Sequence, residues 1–127
     1  MKNQERETLI KEYISAYNDM KVEKMLSPLH SELIFENFSG DEKTHFLVGK
    51  KAFKNQALEA LGYFSERNQS ILNITHQKSN SKVTISYQAT LRIDIPNGPR
   101  KGDKLDFEGK SIFEFKDNKI SKIQDFS

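Results

Sequence analysis

One amide between aromatic residues is the first feature of the sequence that suggests chemistry. The segment LIFENFSG, residues 33–40, alternates as a strand and flanks Asn37 with Phe35 and Phe38. Alternation turns Phe35 and Asn37 to the same side. Because a strand end on a core usually carries an apolar or a solvated side chain, we interpret Asn37 as a hydrogen-bonding group for a ligand or an ordered water in an internal pocket. The alternative is that its amide ties the following loop, residues 39–49, to the strand end.

Metal and thiol chemistry find no support in the sequence. The three histidines, His30, His45 and His76, are far apart and never adopt the i, i+2 or i, i+4 spacing of paired ligands. Cysteine is absent, which excludes disulfides and thiolate catalysis. We therefore predict neither a metal site nor a cofactor. His76 lies in a predicted strand and reaches a pocket if its face of that strand turns inward.

The composition is that of one globular domain with an aromatic core. Hydrophobic residues make up 35% of the 127 residues, and nine Phe and four Tyr supply large rings. The net charge of +2 is too small to indicate a phosphate-binding surface. Because no apolar run has the length of a signal peptide or membrane span, we expect a cytoplasmic protein without membrane or nucleic-acid partners.

Three helices are predicted in the first half of the chain. Apolar residues recur at three- and four-residue steps along residues 5–20, which indicates an amphipathic helix carrying Tyr13 and Tyr17 on its apolar stripe. A short helix follows at residues 22–26 and ends before Pro28. Gly49 introduces a third helix with Phe53 on its apolar face.

Strands dominate the rest of the sequence. Period-two alternation predicts strands at residues 33–37, 69–78, 83–95, 105–115 and 119–126, with loops at residues 39–45 and 96–104. Helices segregated from a mostly antiparallel meander form the α+β class, in which the helices cover one face of the sheet. Glu36 points away from Asn37 by alternation and is predicted to be a surface carboxylate.

This order of elements resembles the SnoaL-like and ketosteroid isomerase-like members of the nuclear transport factor 2-like superfamily. Its landmarks are KEYISAYNDMKVEKML in the first helix, LIFENFSG, VGKKAF at the third helix, and the hairpin SIFEFKDNKISKI. The resemblance covers nearly the whole chain and implies a single domain, residues 1–127, with a cone-shaped fold and an apolar pocket for a small hydrophobic molecule. It also implies a homodimer through the outer sheet face, for which a solvated face is the alternative.

The isomerase resemblance assigns three roles. Tyr13 takes the place of the tyrosine that donates to the substrate oxygen, Asn37 that of the acidic base, and Ser111 that of the second oxyanion donor. The alternative for Tyr13 is a core tyrosine whose hydroxyl bonds to a backbone carbonyl. An amide cannot take up a proton at neutral pH. Because loss of a general base typically costs about 10²- to 10⁴-fold in rate, steroid-type isomerisation is disfavoured.

Asp125 is the other candidate for acid–base chemistry. It lies in the final strand, from which SnoaL-like cyclases supply an acid–base aspartate, and the alternative is a surface carboxylate at the chain terminus. Related dehydratases pair histidine with tyrosine, which makes His76 or His45 with Tyr17 a further candidate pair. The remaining predicted pocket residues, beside Tyr17, His76 and Ser111, form an aromatic wall: Phe35, Phe53, Phe107 and Phe113.

Two functions follow as expectations. The first is a small-molecule-binding protein that catalyses isomerase-, cyclase- or dehydratase-type chemistry on a hydrophobic carbonyl compound, with Tyr13, Asn37 and Asp125 as the catalytic set. The second is a non-catalytic dimeric module that binds a ligand or another protein.

Overall fold

Three helices and six strands form the α+β architecture that the sequence predicts. The computed structural model describes residues 1–127. The helices are α1 (Asn3–Asn18), α2 (Val22–Leu26) and α3 (Lys50–Ala60). The strands are β1 (Leu29–Ser39), β2 (Glu42–Val48), β3 (Phe64–His76), β4 (Asn80–Leu91), β5 (Lys104–Lys116) and β6 (Lys119–Phe126). No helix combines the length and the apolar composition that a membrane crossing requires.

All six strands belong to one curved sheet in the order β2-β1-β6-β5-β4-β3. Consecutive hairpins make four of the pairings antiparallel, whereas β1 and β6 are parallel. This pairing brings the last strand of the chain to the middle of the sheet, beside the first. The sheet wraps around the helices, so its concave face and the apolar stripe of α1 enclose the core.

Strand β4 shows how the core is built. Its alternate residues, Val83, Ile85, Tyr87, Ala89 and Leu91, are buried, while the residues between them are half-buried or exposed. All of these buried residues except Leu91 meet Ile10 and Ile14 of α1 together with Ile120 and Ile123 of β6 in one apolar cluster. Each fully buried aliphatic side chain of this kind stabilises the fold by about 1.5–3 kcal/mol.

Several predicted strand boundaries were wrong. Strand β1 begins at Leu29 and β3 at Phe64, each four or five residues before its predicted start. Residues 42–48 form the edge strand β2 rather than a loop, because the turn at Gly40, with φ of 59°, folds this polar segment back onto β1. An edge strand needs no apolar alternation to be held by backbone hydrogen bonds. Strand β4 ends at Leu91, and Ile93 and Ile95 are exposed in the following loop.

Glu36 also departs from its prediction. It points away from Asn37 to the convex face, as expected, but only 6% of the residue is exposed. Lys43 Nζ lies 2.6 Å from its carboxylate, Gln124 Nε2 donates to it at 2.9 Å, and Lys122 Nζ lies 3.6 Å away. The hydrogen bond from Lys43 is the main cause of the lowered pKa of Glu36. Long neighbouring side chains from β2 and β6 therefore cover a carboxylate that local sequence places at the surface.

Arg6 anchors the start of α1 to the turn between β3 and β4. Its buried guanidinium donates to three backbone carbonyls, Gln77 O at 2.6 Å, Lys78 O at 2.8 Å and Asn80 O at 3.0 Å. The group also stands over the Phe115 ring, 5.2 Å from its centre. These contacts hold the first turn of α1 against the turn between β3 and β4.

Replacement of Arg6 by methionine should lower the free energy of unfolding by roughly 2–4 kcal/mol, because it leaves the Gln77 and Lys78 carbonyls without a donor and removes one of the two donors to the Asn80 carbonyl. Urea denaturation would measure the loss. The control is Arg100→Met, since Arg100 is largely exposed and forms only a long ion pair, and its effect should stay within about 0.5 kcal/mol. Equal effects of the two substitutions would contradict an anchoring role for Arg6.

Candidate functional site

The candidate site is a hollow between the concave face of the sheet and helices α1 and α3. It consists of two adjoining pockets, which we call the helix-side pocket, of about 280 Å³, and the sheet-side pocket, of about 220 Å³. Both are lined by Tyr17, Asn37, Phe64 and Asp125, which mark where they meet. Together they form the cavity, and its size suits a small organic molecule.

A row of four polar residues crosses the floor of the cavity. His45 on β2 pairs with Asn37 on β1, Asn37 pairs with Asp125 on β6, and Asp125 pairs with Ser111 on β5. Residues directly opposite in neighbouring strands point to the same face and follow each other at about 4.8 Å. All four line one or both pockets. We call this set the polar row.

Asp125 is the acid of the polar row. Its Oδ1 accepts a hydrogen bond of 2.6 Å from Ser111 Oγ, and this is its only hydrogen bond within the protein. Burial raises the pKa of Asp125 to about 6, although the Ser111 bond acts in the opposite direction. The interpretation of Asp125 as a surface carboxylate was therefore wrong, because β6 lies in the middle of the sheet. A carboxyl group with this pKa can take up and release a proton near neutral pH.

Tyr13 faces the helix-side pocket from α1. Only 4% of the residue is exposed, and its ring packs against Phe53 and Phe113 at centroid distances of 6.3 and 6.1 Å. Its hydroxyl makes no hydrogen bond within the protein, which leaves it free to donate into the pocket. Burial, and next the nearby Asp125 charge, raise the pKa of Tyr13 well above its ordinary value. The hydroxyl therefore stays protonated and acts as a donor.

Tyr17 lies one helical turn further along α1, between the two pockets. Its hydroxyl lies 2.9 Å from that of Tyr87, so these two groups satisfy each other. Burial raises the pKa of both tyrosines. The Tyr87 ring stacks on Phe107 at 4.9 Å and continues the wall toward the solvent, where Phe107 is 40% exposed.

The amide of Asn37 forms the tie to the following segment that the alternative interpretation expects, and its oxygen is left without a partner. Its Nδ2 donates to Thr44 Oγ1 at 2.7 Å and so ties β2 to the strand end. Its Oδ1 has no partner in the protein, and the residue lines both pockets. The nitrogen therefore holds the edge strand, while the oxygen remains available inside the cavity.

The structure brings most of the predicted pocket residues together but places two of them elsewhere. Phe35 and Phe53 line the helix-side pocket, and Phe107 and Ser111 line the sheet-side pocket. Phe113 lies beneath Tyr13 in the core and is 1% exposed, so it does not reach the cavity.

His76 is the second correction. Its ring nitrogens lie 2.8 Å from Glu7 Oε2 and 2.8 Å from Ser81 Oγ, below the start of α1. This is the closed end of the hollow, whereas the cavity opens near the end of α1. Both ring nitrogens are engaged there, and His76 lines neither pocket.

Several cavity residues fall outside the predicted pocket set, and two of those in the helix-side pocket carry groups that can bear a positive charge, His45 and Arg67. The sequence names His45 only as a possible acid–base partner of Tyr17, and the pairing of β2 with β1 brings it into the helix-side pocket. Arg67 was missed, because it lies between Glu66 and Asn68 in a segment that reads as solvated. Extension of β3 to residue 64 would have revealed it, since Arg67 then alternates with Gln69 and Ile71 on the inner face. No cluster of three potential metal ligands occurs in the chain.

Fold and site together define an α+β protein of cone-shaped fold, with two adjoining pockets between its helices and the concave face of its sheet. A family model described as SnoaL-like domain matches residues 10–123, and the chain belongs to this family. Among proteins of curated function, none matches the chain in sequence.

Solved structures of similar fold extend this comparison. A candidate polyketide cyclase from Xanthomonas campestris pv. campestris has a TM-score of 0.81 at 15% identity, over 98% of this chain and 90% of that one. An LEH-like epoxide hydrolase from M. tuberculosis reaches 0.76 at 15% identity, with 97% and 82% covered. A protein of ketosteroid isomerase-like fold from Catenulispora acidiphila reaches 0.76 at 7% identity, with 94% and 84% covered. At these identities the likeness concerns the fold.

Stability should depend on pH through Asp125. Because the folded-state pKa of about 6 lies above the ordinary 3.8, the folded protein binds this proton more tightly than the unfolded chain. The carboxylate therefore destabilises the fold increasingly as pH rises through this window. Asp125→Asn removes this effect. The free energy of unfolding of the variant relative to that of the wild type should therefore be about 1 kcal/mol greater at about pH 8 than at about pH 5.

Urea denaturation at the two pH values would measure this difference. Asp41→Asn, at an exposed turn position, is the matched control and should follow the wild type at both. A pH dependence of the Asp125→Asn variant equal to that of the wild type would contradict a raised pKa of the Asp125 carboxyl group.

Proposed function

We propose that this protein is an enzyme that transfers a proton on a small, largely apolar carbonyl compound bound in the cavity. The observation that carries the proposal is the carboxyl group of Asp125, which is half-buried, has its pKa raised to about 6 and lines the same pocket as the unbonded hydroxyl of Tyr13. A base poised near neutral pH together with a protonated donor is the pair of groups that enolisation requires.

In this proposal ionised Asp125 removes a proton from the carbon next to the carbonyl group. The C–H electron pair forms the carbon–carbon double bond of an enolate, and the negative charge moves to the carbonyl oxygen. Tyr13 donates a hydrogen bond to that oxygen, and Asn37 Oδ1 orients a substrate hydroxyl. Ser111 holds Asp125 Oδ1, which leaves Oδ2 for the proton. In a substrate with a β,γ carbon–carbon double bond the enolate is a dienolate, and return of the proton from Asp125 to the γ carbon completes an isomerisation to the α,β-unsaturated ketone.

The names of the structural neighbours support small-molecule chemistry in this fold. One is described as a candidate polyketide cyclase and another as an LEH-like epoxide hydrolase. An enolate that attacks a second carbonyl group of the same molecule would give a cyclisation instead of an isomerisation. Both outcomes begin with the same removal of a proton by Asp125.

A non-catalytic homodimeric module is the second candidate. Exposed apolar side chains on the edge strand β2 favour it, since Phe46 is 57% and Val48 60% exposed. Phe46 pairs with Glu36 and so lies on the convex face, the outer face of the sheet. Analytical ultracentrifugation of the wild type and of Phe46→Glu would test it. A monomeric wild type would remove this candidate.

Proton transfer can be measured as hydrogen–deuterium exchange of β-tetralone, a bicyclic enolisable ketone, followed by NMR. The wild type should accelerate the exchange, and Asp125→Asn should lower the rate by about 10²- to 10⁴-fold. Tyr13→Phe should lower it by about 10²-fold, because the enolate loses a donor. The rate should rise with pH through about 6 as Asp125 ionises. Asp41→Asn is the control, and full activity of Asp125→Asn would refute the proposal.

Replacement of Asn37 by aspartate offers an independent test of the geometry. Asn37 lies directly opposite Asp125 in the parallel pair of β1 and β6, so a second carboxylate there would repel the first. The midpoint of the pH–rate profile for β-tetralone exchange should move upward by about one unit or more. Asn37→Leu should leave the midpoint where it is. An unchanged profile in Asn37→Asp would mean that position 37 does not sense the base.

A further inference from the structure

Arg67 is a buried cation on the wall of the cavity. Only 5% of the residue is exposed, and its side chain lines the helix-side pocket. Its Nε donates to the backbone carbonyl of Tyr17 at 3.0 Å, and its guanidinium stacks over the Tyr17 ring, 3.7 Å from the ring centre. The last turn of α1 therefore fixes the direction of this side chain.

No carboxylate of the protein neutralises Arg67. None of the ion pairs includes it, although Asp125 lines the same pocket. Beyond the Tyr17 carbonyl its only partner is Met25 Sδ, at 3.9 Å from Nη2. Nη1 donates to no protein atom. Arg6 Nε is the single fully buried side-chain polar atom that has no hydrogen-bond partner. Because Arg67 Nη1 also lacks a partner, this atom is not fully buried.

This situation is unusual for a folded protein. Buried charges are as a rule paired, since the loss of hydration costs several kcal/mol unless an opposite charge compensates it. The other buried arginine, Arg6, donates to three backbone carbonyls. Arg67 has no such set of acceptors, and it lines the helix-side pocket, which is where a ligand would lie.

We infer that Arg67 binds a carboxylate of the ligand, so that the cavity takes an apolar, carboxylate-bearing compound. The planar guanidinium matches a carboxylate in shape and charge. The inference deepens the proposed function and rests on it for the location of the ligand, since it names the substrate class: an apolar carbonyl compound with one acidic group. Tyr17 and Tyr13, on successive turns of α1, lie along the same pocket as both Arg67 and Asp125.

The orientation of the ligand follows from the walls. Its carboxylate lies against Arg67 near the end of α1, and its apolar body packs against Phe35 and Phe53, whose rings are 5.2 Å apart. Its carbonyl carbon then lies toward the polar row and Asp125. Repulsion between the Asp125 carboxylate and a ligand carboxylate favours the same direction of binding.

The experiment compares β-naphthoate with β-naphthamide, which share shape and differ in charge. Isothermal titration calorimetry at about pH 7.5 should show the wild type binding the carboxylate at least about tenfold more tightly than the amide, as a hydrogen-bonded charge pair requires. Arg67→Met should abolish the preference, and Arg67→Lys, which keeps the charge without the planar fork, should retain part of it. Arg92→Met, an exposed arginine without side-chain partners, is the matched control and should keep the full preference.

Equal binding of the two compounds by the wild type, binding of neither, or an undiminished preference in Arg67→Met would overturn the inference. The wild-type comparison needs no variant, so instability of Arg67→Met would not block the test. Exchange of β-tetralone, which is uncharged, reports on Asp125 separately. Exchange without carboxylate preference would leave the proposed function intact, and carboxylate preference without exchange would support the Arg67 site and count against proton transfer.

Discussion

The desolvated carboxyl group of Asp125 is the feature on which the rest of the cavity depends. Removal of a carboxylate from water is costly, and here a single hydrogen bond from Ser111 offsets the cost in part. The balance leaves the pKa of Asp125 near 6, where both protonation states are populated around neutral pH. The tyrosines beside it respond in the same sense, since burial and the nearby negative charge keep Tyr13 protonated. Burial is thus the main cause of both properties, the raised pKa of Asp125 and the protonated state of the Tyr13 hydroxyl.

The sheet register brings these groups together. The parallel pairing of β1 with β6 sets Asn37 beside Asp125, although 87 residues of chain lie between them. The irregularity between Asn37 and Phe38 then lets β2 pair its His45 with Asn37. A shift of either strand by one residue would turn the polar row to the convex face. The anchoring of the turn after β3 by Arg6, at the opposite end, keeps α1 across the concave face, where Tyr13 and Tyr17 reach the cavity.

The two buried arginines illustrate how one residue type can serve structure or recognition. Arg6 is enclosed by turn carbonyls and joins two elements. Arg67 contacts the Tyr17 carbonyl, the Met25 sulfur and the face of the Tyr17 ring. It has no further partner in the protein and lines the helix-side pocket. Asp125 lines the same pocket, so the pocket contains one cation and one acidic group among mainly apolar side chains. A pocket of this kind discriminates among ligands by charge as well as by shape.

The sequence by itself determined the α+β class, the faces of α1 and β4, and the inward side of Asn37, because periods of 3.6 and two residues are local properties of the chain. It also named Asp125, yet whether that residue was surface or buried depended on the position of β6 within the sheet. The polar edge strand β2, the covered Glu36, the engaged His76 and the inward Arg67 were beyond local patterns. Tertiary structure alone decided them, since the burial and pairing of a polar side chain are set by residues distant in sequence that packing brings beside it.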